Sequence, residues 1–403
     1  MVQRFTIDSS IIGADKHIVC DPEGYTWSDS VPKDSWHMTG EFKIFATAKC
    51  LDTLLKLSHK EVPTVPERYL TAMRHVVTGS QAIPWRYVLP QIEFKNYFKN
   101  LVQVTSDIFD ELPFDYYETV WTAGSRVINS LKPAKVDVFK FTSLIENNPS
   151  SPGLESFRPK RSGFTQPIEY DRFATRTGRL TVIDGPNILV LKKDFKKMLT
   201  SSFEDGHVVS LDFKALESRI VLAEAGKTSD AEDIYKDISD TQFKGMIPRD
   251  VVKVAVLAEL YGVSKNTLKW KLGLSDEKVD SFIDSIKDYF DVENLKQRLK
   301  DELYEEGHLK NRFGRRLEVP QAQDNLLINT YAQSTGVDIS LLGFDRVLSI
   351  LGNEGVRPLF ILHDAIIIDV RGDRLPDLQA IKNVVVPTYD KPFPLKFEFV
   401  TNS

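Results

Sequence analysis

Cysteine is nearly absent from this chain: Cys20 and Cys50 are the only two among 403 residues. Two isolated cysteines build neither a metal cluster nor a disulfide framework, which suits a reducing cytoplasm. No run of about 18 apolar residues occurs, so no membrane span is indicated and no membrane partner is expected. The opening Met-Val-Gln-Arg-Phe-Thr-Ile-Asp lacks the blocks of a secretory signal. Internal repeats and low-complexity tracts are missing as well. So is any basic excess: 52 Lys and Arg against 57 Asp and Glu leave a net charge of −5, whereas nucleic-acid-binding domains are often basic. The basic residues are clustered, however, over 158–161, at Lys192, Lys193, Lys196 and Lys197, and from Lys310 to Arg316. Such strips can contact phosphates on an otherwise acidic surface. With 42% hydrophobic and 27% charged residues, the chain is ordinary globular protein, long enough for two or three subdomains.

What is present is a pair of aspartates at the ends of apolar runs that read as strands. Asp212 follows His207-Val-Val-Ser-Leu, and Asp364 follows Pro358-Leu-Phe-Ile-Leu-His363. A carboxylate at the end of a buried strand is unfavourable without a nearby cation. Two of them together make a site for hard divalent ions, with Mg²⁺ plus substrate phosphates the usual occupant. Two-metal phosphoryl transfer uses that arrangement. Either aspartate alone reads equally well as the end of a strand. Between them lies a third element, Arg249 through Gly262, with Pro248 suited to a helix start and Gly262 to its C-terminal cap. Arg249, Lys253, Leu257 and Tyr261 recur every four residues and so share one face. Guanidinium, ammonium, apolar side chain and phenol in that order can grip a triphosphate at one end and pack on a base or sugar at the other. The valines and alanine over 251–256 read as the packed faces of the same helix.

These three segments resemble motifs A, B and C of the family A DNA polymerases, the DNA polymerase I group. The likeness extends to Thr177-Gly178-Arg179-Leu180, to Asp184-Gly-Pro186-Asn187, to the Gly314-Arg315-Arg316 segment, and to the Asn329, Gln333, Asp338, Ile339 helix. The tail from Phe393 to Val400 is similar to the family's last strand. All lie in family order, over roughly 170–403. The resemblance implies an α+β right-hand polymerase with a palm sheet, helical fingers and a helical thumb. It implies that Asp212 and Asp364 hold two Mg²⁺ ions, replaceable by Mn²⁺, with the backbone carbonyl of Phe213 as a further ligand. Arg249 and Lys253 would bind the triphosphate of an incoming dNTP, Lys253 also giving a proton to the leaving pyrophosphate. Leu257 and Tyr261 would line the nucleotide pocket, and Glu217 would crowd the sugar 2′ position. Arg179, Asn329 and Gln333 would contact the minor-groove side of primer-template DNA, where every pair offers acceptors, and His363 would touch the primer end.

Read linearly, 1–50 is a β-containing segment and 51–135 a thumb-like helical region. The first part of the palm is expected over 136–232, the fingers over 233–310 and the rest of the palm over 311–403. Within these, strands are expected at Arg4–Ile12 and Glu41–Ala48, helix starts near Pro66 and Ser275, a helix over Trp121–Leu131, and a loop over Asn147–Gly153. Residues 136–230 read as strands alternating with loops.

Phage-type single-subunit RNA polymerases share the Arg-x-x-x-Lys helix and the His-Asp pair but lack Glu217 and the Thr-Gly-Arg-Leu element. Ala365, after His-Asp, is closer to their pattern. A non-catalytic nucleic-acid-binding replication subunit is the third reading, against which both aspartates and the Arg249/Lys253 ladder argue. Departures from the family are Leu257 for an aromatic, Ala215 for Gln, Asn325 for Arg, a short stretch before the fingers helix, and the loss of a His there, with Tyr235 or Ser239 nearest. Near the start no Asp-x-Glu pair reads as a proofreading site. The proofreading exonuclease is then either a separate polypeptide or dispensed with, and other replication proteins are expected partners. The compact size points to a phage or mobile-element origin and a bacterial host cytoplasm.

Overall fold

The computed structural model describes residues 4–7, 16–21, 23–32, 35–38, 51–59, 63–76, 84–107, 113–261, 276–319 and 324–400. They form mixed helix and sheet in two compact units, Met1–Tyr117 and Glu118–Ser403. The division falls inside the helical stretch expected over 51–135.

In the first unit, β1 (Arg4–Ile7), β2 (His17–Asp21), β3 (Gly24–Ser28) and β4 (Ser35–Met38) make a sheet ordered β3-β2-β1-β4. Phe5 and Ile7 lie opposite Cys20 and Ile18. All four are buried, as period-two alternation requires of one sheet face. The Trp36 ring meets Tyr117 edge-on at 4.5 Å. Helices α1 (Leu51–Leu57), α2 (Glu67–Val76) and α3 (Gln91–Asp107) follow. Pro66 immediately precedes α2, as expected. Asp21 and Glu23 have Asp-x-Glu spacing, but at the β2–β3 turn the Asp21 carboxylate accepts the Glu23 backbone N–H at 3.0 Å. The strand expected at Glu41–Ala48, the part of Arg4–Ile12 beyond Ile7, and Cys50 lie outside the described residues.

The second unit is built on five antiparallel strands: β5 (His207–Phe213), β6 (Val356–Leu362), β7 (Ala365–Val370), β8 (Asn383–Val384) and β9 (Phe393–Phe399). Their order is β6-β7-β5-β9-β8. Every residue of β7 is buried, including Asp369, whose carboxylate accepts hydrogen bonds from Ser201 Oγ and from the Ser202 N–H and Oγ. Helix α4 (Thr122–Ser130) opens the unit. After β5 come α5 (Leu216–Glu224), α6 (Ile234–Phe243), α7 (Arg249–Tyr261), α8 (Asp276–Phe290), α9 (Val292–Glu306) and the 28-residue α10 (Asp324–Leu351). Phe344 of α10 packs on Phe213 of β5 at 5.7 Å between ring centres. Gly343 makes room for that ring, since a Cβ there would come within 2.6 Å of Phe213 Cζ. Arg126 of α4 forks onto the Asp345 carboxylate of α10 at 3.0 and 2.6 Å.

Two sequence expectations are corrected here. Residues 136–230 are not only strand and loop: they contain a helix at Val138–Asn147 besides α5. The first starts because the Asp137 side chain caps it, accepting the Lys140 N–H at 3.1 Å, while Phe141 points into the core. The Asn147–Gly153 loop is shorter than expected, because Pro152 opens a helical turn, Pro152–Glu155. Pro248 lies one residue before α7, its carbonyl accepting the Val251 and Val252 N–H groups at 3.0 and 3.1 Å. Gly262 and Ser275 lie outside the described residues.

Candidate active site

Asp212 sits near the end of the central strand, its ladder partners being Ala365 on β7 and Lys396 on β9. Asp364 occupies the two-residue turn, His363-Asp364, that joins β6 to β7. The Phe213 N–H donates to the Asp364 carbonyl at 3.1 Å, so the backbone itself ties the two aspartates to one end of the sheet. Both are flanked by left-handed backbone on residues other than glycine, His363 at φ 56° and Ala215 at φ 50°. Such conformations are unfavourable and persist where surrounding structure enforces them. Burial, then the negative charge of Asp364, pushes the Asp212 carboxyl up to about 7. Burial likewise raises Asp364. Neither carboxylate has an ion pair among the described residues. Two half-buried carboxylates side by side, with Lys196, Lys396 and Arg179 near enough to act on them but not paired to them, are a donor set that fits hard divalent ions. The Phe213 ring is buried against α10, which leaves only its backbone carbonyl for a metal.

The turn at Ala215 leads into α5 and sets Glu217 beside the aspartates. Burial raises the Glu217 carboxyl, while Arg179, donating Nη2 to Oε1 at 2.9 Å, opposes that rise. Across a cleft of about 1110 Å³ stands α7, with Arg249, Lys253 and Leu257 on the cleft wall. Val252, Ala255 and Val256 are buried behind them, as the helical spacing requires. Arg249 is held: Nε donates to Asp233 Oδ2 and Nη1 to Asp250 Oδ1, each at 2.9 Å. Lys253 is exposed and without a hydrogen bond or ion pair among the described residues, its Nζ 6.0 Å from the centre of the Tyr235 ring. The backbone of Tyr261 ends α7; its side chain, like that of Asn325, lies outside the described residues.

Arg179, Gln333 and His363 also line the cleft. Asn329 lies one turn from Gln333 on α10 and accepts a hydrogen bond from its side-chain amide. Both are half-buried. His363 is exposed at the hairpin turn, and partial burial of its ring lowers its pKa.

Sequence reading gave no site role to two residues. Asp233 holds Arg249 and caps α6, a role its position before Ile234 could have signalled. Of the two residues offered for the missing His, Tyr235 lines the cleft, whereas Ser239 donates to the Ile247 carbonyl. Lys196, noted only as part of a basic cluster, is close enough to Asp212 and His363 to act on both electrostatically. The basic run at 310–316 is partly inward: Arg315 is buried and donates to the Arg172 carbonyl at 3.1 Å.

A family model described as DNA polymerase family A matches residues 163–400. The DNA polymerase I, thermostable, of Thermus filiformis is 24% identical over 259 residues, covering 57% of this chain and 31% of that protein. The DNA polymerase of Mycobacterium phage D29 is 25% identical over 226 residues, 52% of this chain and 36% of the relative. The match thus spans about a third of the length of these relatives. In fold, the chain is similar to the POL domain of Pol1 from M. smegmatis in complex with DNA primer-template and dNTP. That likeness has a TM-score of 0.61 at 13% identity, over 96% of this chain and 92% of the other.

Proposed function

This chain belongs to DNA polymerase family A, and on that premise we propose that it is a template-directed DNA polymerase adding dNTPs to a primer 3′ end. The observation that carries the reading is the facing of Asp212 and Asp364 by Arg249 and Lys253 across one cleft. Carboxylates for metal on one wall and cations for phosphate on the other are what phosphoryl transfer requires. Mg²⁺, or Mn²⁺ in its place, would be held by Asp212, Asp364 and the Phe213 carbonyl, and supplies charge that activates the attacking oxygen and steadies the leaving one.

The chain's own residues do the rest. Arg249 and Lys253 grip the triphosphate, and the Lys253 Nζ carries the proton given to the leaving pyrophosphate. Leu257 and Tyr261 flank the nucleotide. Glu217, fixed by Arg179, closes the space at the ribose 2′ carbon. Arg179, Asn329 and Gln333 read shared minor-groove acceptors of the primer-template, and His363 meets the primer end. In this reading the palm is 136–232 with 311–403, the fingers are 233–310, and the thumb lies within 51–135. The phage relatives support a bacterial host cytoplasm as the setting. Extension without 3′→5′ degradation by these 403 residues belongs to the same proposal, and other replication proteins are its expected partners.

The test is primer extension by purified protein with Mg²⁺ and separate dNTP and NTP pools. Extension by dNTPs is expected. Preference for NTPs would replace this reading with that of an RNA polymerase, for which Ala365 speaks, and failure with both would leave a nucleic-acid-binding subunit.

A further inference from the structure

We propose that Asp233 is a resident stand-in for nucleotide phosphate: it occupies Arg249 until a more highly charged ligand displaces it, and so sets the affinity and charge selectivity of the cleft. The proposal rests on the reading of Arg249 as a triphosphate ligand. It begins from how the two oxygens of Asp233 divide their duties. Oδ1 faces its own helix, accepting the N–H groups of Tyr235 and Lys236 at 3.0 and 3.2 Å as the N-cap of α6. Oδ2 faces α7 and takes Arg249 Nε at 2.9 Å.

A cap needs only one of those oxygens. The other holds Arg249 from the cleft side; the second partner of the guanidinium, Asp250 Oδ1 on Nη1, belongs to a side chain that is 88% exposed and does not line the cleft. Asp237 and Asp240 follow on the same edge of α6 and also line the cleft. Their carboxylates bond Ser229 and Lys236 instead, so Asp233 is the one of the three that reaches α7. The side chains of Arg249 and Asp233 are 39% and 40% exposed. The pair is therefore solvent-screened and can be exchanged.

A guanidinium fork matches phosphate oxygens in bidentate fashion. A triphosphate brings several charges to bear on Arg249 and Lys253 together and can outcompete a single carboxylate; a diphosphate does so less well. The Tyr235 ring centre lies 5.4 Å from Arg249 Cζ and 6.0 Å from Lys253 Nζ. Released from Asp233, the guanidinium keeps that aromatic face beside it while it turns toward phosphate.

The experiment compares Asp233→Asn, which keeps a competent cap without the charge, with Asp233→Glu, which keeps the charge, and with Asp233→Ser, a second neutral cap. Equilibrium binding of dATP and of dADP to the full chain is measured by titration calorimetry, alongside steady-state KM and kcat for extension and the melting temperature. Asp233→Asn and Asp233→Ser are expected to bind dATP about two- to fivefold tighter, the range of an exchanged exposed ion pair. They should bind dADP with a larger gain, so that the preference for triphosphate narrows, and KM for dATP should fall with the binding constant. Asp233→Glu should retain wild-type affinity. Unchanged or weaker dATP binding by both neutral variants at wild-type melting temperature overturns the proposal, and so does an Asp233→Glu that behaves as they do. If wild-type protein fails to extend primers while the binding shifts appear, the polymerase reading fails and the role of Asp233 stands.

Discussion

Arg179 Nη2 and Glu217 Oε1 are joined at 2.9 Å, although one belongs to a loop before the sheet and the other to the helix after β5. The Glu217 side chain is only 18% exposed, that of Arg179 39%. A single ion pair thus connects the residue proposed to sense primer-template geometry with the one proposed to sense the sugar. Charged partners buried on one side are sensitive to loss of either member.

Sugar choice follows from that pair. Glu217→Ala removes the carboxylate from the ribose 2′ region without touching either metal aspartate. Ribonucleotide insertion relative to deoxynucleotide should rise by at least about tenfold, or roughly 1.4 kcal/mol of transition-state discrimination. Arg179→Ala should loosen the same selection while also weakening primer-template binding. Leu257, having no phenol hydroxyl, should leave the enzyme discriminating against dideoxynucleotides. Single-nucleotide insertion with dNTP, NTP and ddNTP on one primer reads all three, and an unchanged sugar ratio in Glu217→Ala would remove Glu217 from its assigned role.

The metal assignment makes a separate demand. Asp212→Asn or Asp364→Asn should abolish incorporation, yet leave primer-template affinity within about severalfold, because each loses an ion ligand and not a nucleic-acid contact. Extension at wild-type rate by either variant contradicts it.

The raised Asp212 carboxyl makes stability depend on pH. Its ordinary value is 3.8 and in the fold it is pushed up to about 7, so between those values the folded chain binds more protons than the unfolded one. Stability of the ion-free protein therefore falls as pH rises through that window and levels off above it. Between about pH 5 and about pH 8, wild-type protein in chelator should lose up to roughly 2 kcal/mol more than Asp212→Asn, after allowance for solvent access. Adding Mg²⁺ at the higher pH should close the gap and at the lower pH should do little. Melting curves of the two proteins at both pH values, with and without Mg²⁺, check this; parallel pH profiles would refute it.

Gly343 tests the packing beneath the site. A methyl group there meets Phe213 Cζ at 2.6 Å, in a place where Phe344 already crowds the ring. Gly343→Ala gains about 1 kcal/mol of helix propensity but incurs overpacking of about 1–3 kcal/mol. Net destabilisation is expected, with a fall in kcat because Phe213 is covalently next to Asp212. A higher melting temperature with full activity would show that the ring yields freely.

The proposed chemistry was legible in the linear order of residues because metal and phosphate sites demand particular side chains. Asp212, Asp364, Arg249 and Lys253 have few substitutes for their tasks, and helical spacing puts the two cations on one face whatever the rest of the chain does. The same holds for Ala365 to Ile368 of β7, a short apolar run that fits burial on both sides, whereas the burial of Asp369 in the same strand is set by Ser201 and Ser202. What the sequence left open was set by contacts between distant segments. Nothing local in Asp233 or Tyr235 says that α6 will lie beside α7 and bring them to Arg249. Nor does a basic run say which members turn inward, as Arg315 does, and which stay near the cleft, as Lys196 does. The helix at Val138–Asn147 reads as strand and loop in the sequence for a related reason: only Phe141 is fully buried while Val138 and Phe139 stay exposed, and so short an apolar pattern does not separate helix from strand. Residue type determined which side chains are available to the proposed chemistry, and packing between elements decided which charges are held and which face each other.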